Sequence, residues 1–227
     1  MIVPSQPCTF RRYCALVVSP LSQCRFFMHE KLFGLVLPGE AIDVGGTKKS
    51  SYRALLRTER GLTTLNISAE HGGGADIQAD LNKPLPIKDD RFDSLVTANT
   101  LEHIKNDELA VCEALRILKP GGHFHFLVPF LYREHGCPHD WHRHTGQWWN
   151  DFFLGFGLRD DQFTVEPLVW DEFASGAALF EESFHFLRPL ARALFCLPGL
   201  LTGILGMRKK RSFIDMHAIG IYISGRK

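Results

Sequence analysis

The chain has 227 residues, which is the size of one domain or of one domain with an appendage. Its 26 basic and 25 acidic side chains give a formal net charge of +1 at pH 7, and this balance argues against a general nucleic-acid binder. Two residue types are locally concentrated: ten of the 18 phenylalanines lie between residues 152 and 213, and six of the 11 histidines lie between residues 123 and 144.

The first residues precede any domain pattern. Arg11 and Arg12 stand before an uncharged run that ends at Cys24 and loosely imitates a secretory signal peptide, but the run is short and contains Pro20. We therefore expect residues 1–27 to form a poorly ordered arm before a single domain over residues 28–227, with Met28 as an alternative start. The six cysteines include no Cys-x-x-Cys pair, so we expect reduced thiols and a cytoplasmic protein.

Strand and helix patterns alternate after this arm. Apolar runs predict seven strands, over residues 41–44, 62–67, 75–81, 94–98, 123–129, 163–170 and 217–224. Helical spacing occurs at 109–118, before Lys-Pro-Gly-Gly, and at 145–155. This alternation predicts a mostly parallel sheet with helices on both faces. In such sheets ligands bind beyond the carboxyl ends of the strands, so the residues that follow each strand are the functional candidates.

Four motifs follow one another in a characteristic order. They are Leu81-x-x-x-Leu85-Pro86, Asp90-Arg91-Phe92-Asp93, Leu101-Glu102-His103-Ile104, and a segment over residues 113–122 that ends in Lys-Pro-Gly-Gly. Their order and spacing, over roughly residues 38–158, resemble the class I S-adenosylmethionine-dependent methyltransferases that act on small molecules, lipids and glycans. The resemblance implies a Rossmann-like, doubly wound α/β fold of three layers, with a seven-stranded sheet whose last strand is antiparallel, and S-adenosyl-L-methionine as cofactor.

The glycine-rich motif of this family is only partly present. The segment after the first predicted strand begins Asp43-Val44-Gly45-Gly46 and continues with Thr47 and Lys49, where the family usually has two further glycines. Gly46 supplies part of the missing flexibility, and Thr47 can approach a ligand only at negative φ. Three interpretations stay open: an adapted cofactor pocket, a scaffold or regulatory partner that has lost the cofactor, and a nicotinamide-binding domain, which the Leu-Glu-His and Lys-Pro-Gly-Gly motifs disfavour.

The resemblance also assigns cofactor roles to residues after the later strands. Asn66 stands where the family has an acid that binds the ribose, and Asp80 stands where the adenine amine is bound, with Leu81 beside the ring. Asn99 to Leu101 would line the methionine end. The complete set of implied cofactor-binding residues is Asp43, Gly45, Gly46, Asn66, Asp80, Leu81, Asn99 and Leu101.

Candidate catalytic residues follow the fourth and fifth predicted strands. Methyl transfer to oxygen needs a positioned acceptor and a base, and His139 beside Asp140 is the first candidate for that base. His103 is a second candidate, or packs near the cofactor; Arg143 either holds an anionic group of the acceptor or braces the loop. The competing zinc hypothesis draws on His135, Cys137, His139, His142 and His144. Their spacing matches no familiar zinc pattern, so we assign no metal.

Residues 171–214 form an apolar insert between the last two predicted strands and contain the basic cluster Arg208-Lys209-Lys210-Arg211. This combination is typical of contact with a membrane surface; the alternatives are a lid over the acceptor pocket and a homodimer face. No run reaches the roughly 18–20 apolar residues that span a bilayer. The sequence thus predicts methyl transfer to a small-molecule, lipid or lipid-linked glycan acceptor, with a catalytically degenerate scaffold as the alternative.

Overall fold

Strands and helices alternate along the part of the chain that the computed structural model describes, which is residues 1–68, 74–136, 139–170, 172–204 and 216–227. The strands in these ranges are β1 (Val36–Leu37), β2 (Ala41–Val44), β3 (Arg57–Thr58), β4 (Leu62–Asn66), β5 (Ile77–Gln78), β6 (Phe92–Ala98), β7 (Leu118–Pro129), β8 (Phe163–Leu168) and β9 (Gly220–Arg226). The α-helices are α1 (Phe10–Val18), α2 (Gln23–Leu32), α3 (Asp107–Arg116), α4 (Gly146–Phe156), α5 (Glu172–Ser183), α6 (Arg188–Phe195) and α7 (Leu197–Ile204).

Seven strands form one sheet in the order β5-β4-β2-β6-β7-β9-β8. The paired strands are parallel except at β9, which is antiparallel to both β7 and β8. The chain runs outward from β2 to β4 and β5 and then crosses back to β6, so the winding direction reverses beside β2. This order confirms the predicted doubly wound fold and places a ligand crevice at the carboxyl ends of β2, β4 and β6.

The predicted element boundaries shift at two places. The strand predicted over 75–81 is only the two-residue β5, and the Lys-Pro-Gly-Gly segment belongs to β7 instead of a loop. Leu118 pairs with Phe92, and Gly121, at φ +75°, donates its N–H to the Lys227 carbonyl at 2.7 Å. Glycine therefore allows a bulge in a continuing strand here, because only glycine adopts this backbone conformation without strain.

Helices cover both faces of the sheet. On one face, α3 and α4 contribute buried side chains that include Leu115, Trp149 and Phe153. On the other face, α2 and α5 do the same, for example through Phe27 and Ala177. Each fully buried large apolar side chain stabilises the fold by about 1.5–3 kcal/mol, so the two apolar clusters hold the three layers together.

The N-terminal residues are packed helices, in contrast to the expected loose arm. Leu16 of α1 and Met28 of α2 are buried, and Ile2 forms a β-bridge with Val165. Arg192 of α6 is fully buried, and its guanidinium donates to the carbonyls of Leu16, Ser19 and Leu21 behind α1. The expectation was wrong because these helices cover a sheet face that the sequence does not show to be open.

The apolar insert is helical as predicted where the structure describes it, in α5, α6 and α7. The basic cluster over residues 208–211 lies outside the described residues. Phe186, Leu190 and Leu194 are 81%, 56% and 60% exposed, and Phe10 and Val18 of the adjoining α1 are exposed as well. Among the described helices, none is long and apolar enough to cross a membrane.

Candidate functional site

A tight glycine turn follows β2 at the carboxyl edge of the sheet. Gly45 has φ +87°, and a Cβ there would lie 2.1 Å from the Thr100 side chain. A Cβ on Gly46 would lie 1.9 Å from the Asp43 carboxylate. Neither position has room for a side chain, so both glycines are required by packing, and Gly45 is required by its conformation as well.

Asp43 anchors this turn from inside the protein. Its side chain is fully buried, and both carboxylate oxygens accept from the Tyr52 hydroxyl, at 2.9 and 3.0 Å. Burial raises the pKa of Asp43 to about 7, although the Tyr52 hydrogen bond and the Arg53 charge oppose the rise. Tyr52 was not singled out in the sequence, because a tyrosine nine residues away carries no local signal for this contact.

The two departures from the family glycine pattern cause no backbone strain. Among the described residues other than glycine, positive φ occurs only at Asp90 and Asn99, so Thr47 and Lys49 have ordinary backbones. The Thr47 N–H donates to Ser50 Oγ at 2.9 Å, and the Lys49 N–H donates to Thr47 Oγ1 at 3.3 Å. Side-chain hydrogen bonds therefore close a turn that glycines form in the family pattern.

Asn66 and Asp80 follow the next two strands along the same edge. Asn66 Nδ2 donates to the Gly45 carbonyl at 2.7 Å, so this side chain fixes the glycine turn. Asp80 accepts from the Asn82 N–H at 2.9 Å and from Asn82 Nδ2 at 3.1 Å. These hydrogen bonds, the backbone one first, hold the pKa of Asp80 below its usual range, so the side chain is a carboxylate at neutral pH.

The remaining predicted cofactor residues form the wall beside β6. Asn99 has φ +51°, and its N–H donates to the Leu127 carbonyl at 3.0 Å. Leu101 and Leu81 are buried in the apolar cluster under this edge. The structure thus brings all eight predicted cofactor residues to the ends of β2, β4, β5 and β6, while the cofactor roles themselves stay predictions.

The histidine loop, which we define as residues 131–136 and 139–145, follows β7. Its Asp140 carboxylate accepts from both terminal nitrogens of Arg143 and from the His135 N–H, and lies 3.2 Å from His135 Nδ1. Burial acts to raise the pKa of Asp140, but hydrogen bonds from Arg143 and His135 outweigh it and lower the pKa to about 2. Asp140 is thus paired with Arg143 and His135, and His139 is an exposed neighbour.

Glu102 and His103 lie between β6 and the histidine loop. His103 Nδ1 lies 2.6 Å from the His139 carbonyl oxygen, which can only accept, so Nδ1 carries the proton. The Glu102 side chain is 1% exposed, and neither of its oxygens has a hydrogen-bond partner in another described residue. Burial raises the pKa of Glu102 to about 7, and its own N–H and the Arg143 charge oppose the rise.

A second carboxylate–histidine cluster lies at the end of the loop. His144 Nε2 is 2.6 Å from Asp107 Oδ2, and His142 Nε2 is 3.6 Å from Asp107 Oδ1. His144 also stacks on Trp148 with the ring centroids 3.5 Å apart. Asp107 is the first residue of α3, so this cluster joins the loop to a helix N-terminus through the His144–Asp107 hydrogen bond.

An open cleft of about 640 Å³ lies between the segment that follows β5 and the histidine loop. Its lining residues are Asn82, His103, Lys105, Asn106, His139 and Trp141. It brings together two predicted catalytic residues, His103 and His139, and reaches Asn82 next to the predicted adenine position. Of the residues in the zinc hypothesis, Cys137 lies outside the described residues. Glu102 and Asp107, which sequence reasoning missed as site residues, carry the buried carboxylates of the two clusters.

Known proteins share both sequence and fold with this chain. A family described as a methyltransferase domain matches residues 43–126. The demethylmenaquinone methyltransferase of Tropheryma whipplei is 28% identical over a match that covers 48% of this chain and 54% of that protein. The chain thus spans about half the length of the curated relatives it matches.

Solved structures extend the likeness over nearly the whole chain. A structure of the Haloferax volcanii Trm112 methyltransferase activator in complex with a methyltransferase superposes with a TM-score of 0.53 at 16% identity, covering 90% of this chain and 89% of that one. The Haemonchus contortus phosphoethanolamine N-methyltransferase 2, in complex with S-adenosyl-L-methionine, gives a TM-score of 0.51 at 13% identity, covering 98% of this chain and 53% of that one. At these identities the likeness establishes a shared fold.

The matched family region contains the glycine turn, the ends of β4, β5 and β6, and the Leu-Glu-His segment. The strand order around it is the doubly wound order that the four motifs predict. Sequence match and strand order together show that residues 43–126 are similar to a methyltransferase domain and that the chain has a Rossmann-like, doubly wound fold shared with methyltransferases of known structure.

Proposed function

We propose that this chain transfers a methyl group from S-adenosyl-L-methionine to a small-molecule, lipid or lipid-linked glycan acceptor. The observation that supports this most is the glycine turn, where side chains are excluded at both Gly45 and Gly46. A turn without side chains, at a point where the winding of the sheet reverses, lets a ligand approach the backbone closely. The residues present therefore fit a cofactor of this kind.

The protein residues have a limited task in this reaction. When bound, the cofactor supplies a methyl group on a sulfonium that is already an activated donor. In the proposal the Asp80 carboxylate accepts the adenine amine, and Asn66 faces the ribose from the end of β4. The backbone at Gly45 and Asn99 flanks the methionine end, because both residues form turns at the carboxyl edge of the sheet.

The acceptor is proposed to bind in the cleft between Asn82 and the histidine loop. Since His103 Nδ1 is held by the His139 carbonyl at 2.6 Å, Nε2 is the nitrogen that remains to take a proton from an acceptor hydroxyl. His139 is the other candidate base in the cleft. Arg143 acts by holding Asp140, and through it the loop, so in this proposal Arg143 is a positioning residue.

Cofactor binding by isothermal titration calorimetry tests the proposal. The full chain is expected to bind S-adenosyl-L-methionine and S-adenosylhomocysteine. Asp80→Ala should weaken binding by roughly tenfold or more, because a hydrogen bond to a charged group is worth about 1.5–3 kcal/mol. The control Asp161→Ala removes an exposed carboxylate that pairs with Arg159 away from the turn, and should leave the affinity unchanged.

Two results would contradict the proposal in different ways. Unchanged affinity in Asp80→Ala would mean that the adenine end lies elsewhere. Absence of binding to either ligand at millimolar concentration would reject methyl transfer and favour the alternative, a catalytically degenerate protein that acts as a scaffold or regulatory partner.

We further propose that α1, α6 and α7 contact the surface of an anionic membrane, in a cytoplasmic protein whose acceptor is lipid-like. The exposed apolar side chains Phe186, Leu190 and Leu194 lie in the insert, and the basic cluster follows them in the sequence of the same insert. Apolar side chains enter the head-group region, and each nearby cation adds about 1 kcal/mol with anionic lipid. A lid or a homodimer face would bury the same side chains.

Co-sedimentation with liposomes distinguishes these possibilities. The chain should pellet with vesicles that contain an anionic phospholipid and less with neutral vesicles. The double variant Leu190→Ser/Leu194→Ser should stay in the supernatant, whereas the control Val36→Ser, a half-exposed residue on β1, should still pellet. Failure to pellet with either vesicle would reject membrane contact, and a dimer in size-exclusion chromatography would then favour the homodimer face.

A further inference from the structure

The Glu102 carboxylate is the starting point, because it is a buried ionisable group without a hydrogen-bond partner in another described residue. Its side chain is 1% exposed, whereas buried polar atoms in folded proteins nearly always have hydrogen-bond partners. An orphaned buried carboxylate is costly, and a bound ion is one of the few groups that removes the cost. We therefore expect a group that accepts lone pairs, such as a cation, beside the Glu102 carboxylate.

Two histidines surround this carboxylate. One nitrogen each of His103 and His135 and one oxygen of Glu102 all lie within 4.8 Å of one another. His103 Nε2 is 3.7 Å from Glu102 Oε1, which is too long for a hydrogen bond but close to the separation of two ligands on one ion. The rings of His103 and His135 meet edge to face with centroids 5.0 Å apart.

The contacts that Nδ1 of each histidine makes indicate which ring nitrogen has a lone pair for an ion beside Glu102. His103 Nδ1 donates to the His139 carbonyl at 2.6 Å, so Nε2 carries the lone pair. His135 Nδ1 faces Asp140 Oδ2 and the Arg133 carbonyl, both at 3.2 Å, and lies 3.4 Å from Arg143 Nη2. Because these contacts all involve Nδ1, Nε2 is the nitrogen of that ring that remains for the ion. A carboxylate or carbonyl behind each histidine is the usual outer shell of a metal site, since it sets the tautomer and orients the ring.

The charge of the cluster also suits a dication. Arg143 is neutralised by its two-pronged contact with Asp140, and Glu102 contributes the remaining negative charge. We propose that Glu102, His103 and His135 bind one divalent transition-metal ion of the zinc class. Two imidazoles and one carboxylate are ligands that Zn²⁺, Co²⁺ and related ions accept, and three protein ligands leave coordination positions open toward the cleft.

The second cluster provides a contrast within the same loop. The Asp107 carboxylate is hydrogen-bonded to His144 at 2.6 Å and lies in the first turn of α3, so this cluster has a hydrogen-bond partner that Glu102 lacks among the described residues. We therefore place the ion at Glu102. This inference goes beyond methyl transfer and does not rest on it, because metal binding is measured without the cofactor. With an ion on His103 Nε2, that nitrogen no longer takes a proton, and His139 is the base of the methyl-transfer proposal.

The experiment uses the full chain, stripped with a chelator and then titrated with Co²⁺ and with Zn²⁺. Co²⁺ should produce d–d absorption bands at one equivalent per chain, and Zn²⁺ should bind with the same stoichiometry in calorimetry. Glu102→Gln and His135→Gln should each weaken binding at least tenfold, since even changes in the outer shell of metal sites cost 10–100-fold. The matched control His144→Gln should retain full affinity.

Several results would overturn the metal proposal. Full affinity in both Glu102→Gln and His135→Gln would reject the site, as would loss of the bands in His144→Gln alone. If Glu102→Gln fails to fold, His135→Gln decides, because that side chain is only half-buried in the loop. Binding of S-adenosyl-L-methionine by the metal-free chain would leave the methyl-transfer proposal standing even when the metal proposal fails.

Discussion

The glycine turn and the histidine loop differ in how completely their buried carboxylates are paired. Asp43 and Glu102 are both buried, and burial raises the pKa of each to about 7. Asp43 accepts two hydrogen-bond contacts from Tyr52, whereas Glu102 has none from another described residue. The glycine turn therefore has its buried carboxylate hydrogen-bonded within the protein, whereas the carboxylate beside the histidine loop has no such partner among the described residues.

The largest expected effect is that of Gly46→Ala in the glycine turn. The added Cβ would overlap the Asp43 carboxylate at 1.9 Å, so the carboxylate must leave Tyr52. Overpacking and the lost hydrogen bonds together should cost roughly 4–6 kcal/mol of unfolding free energy, and cofactor binding should be lost with the turn. Urea unfolding measures the first effect and calorimetry the second.

A matched alanine elsewhere controls for the substitution itself. Gly155 is exposed in α4, and a Cβ there meets nothing within 4 Å. Gly155→Ala should stabilise the protein by up to about 1 kcal/mol, because alanine favours the helix interior. If Gly46→Ala were as harmless as this control, the glycine turn would be far more adaptable than its packing indicates.

The next largest expected effect is the pH dependence of the unfolding free energy that Asp43 contributes. Its folded pKa, about 7, is above the usual value of 3.8, so the folded state holds the proton more tightly. Stability from this group is therefore present below about pH 4 and declines as the pH rises to about 7. Relative to Asp43→Asn, the wild type should lose about 4 kcal/mol across that range.

Urea unfolding of both proteins at several pH values measures this difference. Subtraction of the two profiles removes the parallel titration of Glu102, which is present in both. Tyr52→Phe should move the Asp43 midpoint upward, because the hydroxyl favours the charged carboxylate. A flat difference profile would show that Asp43 is better solvated than its burial implies.

The smallest expected effect is at the histidine loop, in Arg143→Lys. Lysine keeps the charge but cannot make the two-pronged contact with Asp140, so the loop should open more often. Amide hydrogen exchange at residues 139–144 should rise by roughly tenfold, while the global unfolding free energy should change by less than about 1 kcal/mol. A global loss as large as that of Gly46→Ala would erase the distinction between the two regions.

Much of the fold and of the cofactor edge could be predicted from the sequence. Apolar runs marked the strands, and polar or glycine residues after them, such as Gly45, Asn66 and Asp80, marked the carboxyl edge of the sheet. Parallel strands place such residues side by side, so spacing along the chain was enough to collect them. The sequence also showed that Thr47 stands where the family has a glycine. The hydrogen bond from the Thr47 N–H to Ser50, which helps to close the turn, was visible only in the structure.

Contacts between distant segments decided the rest. Arg192 joins α6 to the end of α1 across more than 170 residues, and this burial turns the expected loose arm into part of the protein. Tyr52 reaches Asp43, and Glu102 is left without a hydrogen-bond partner among the other described residues, because segments distant in sequence pack there. Sequence alone determined the order of the elements and the residues at the sheet edge, because local periodicity encodes them. Only the tertiary structure decided which polar groups are buried and which have partners, since desolvation depends on everything packed around them.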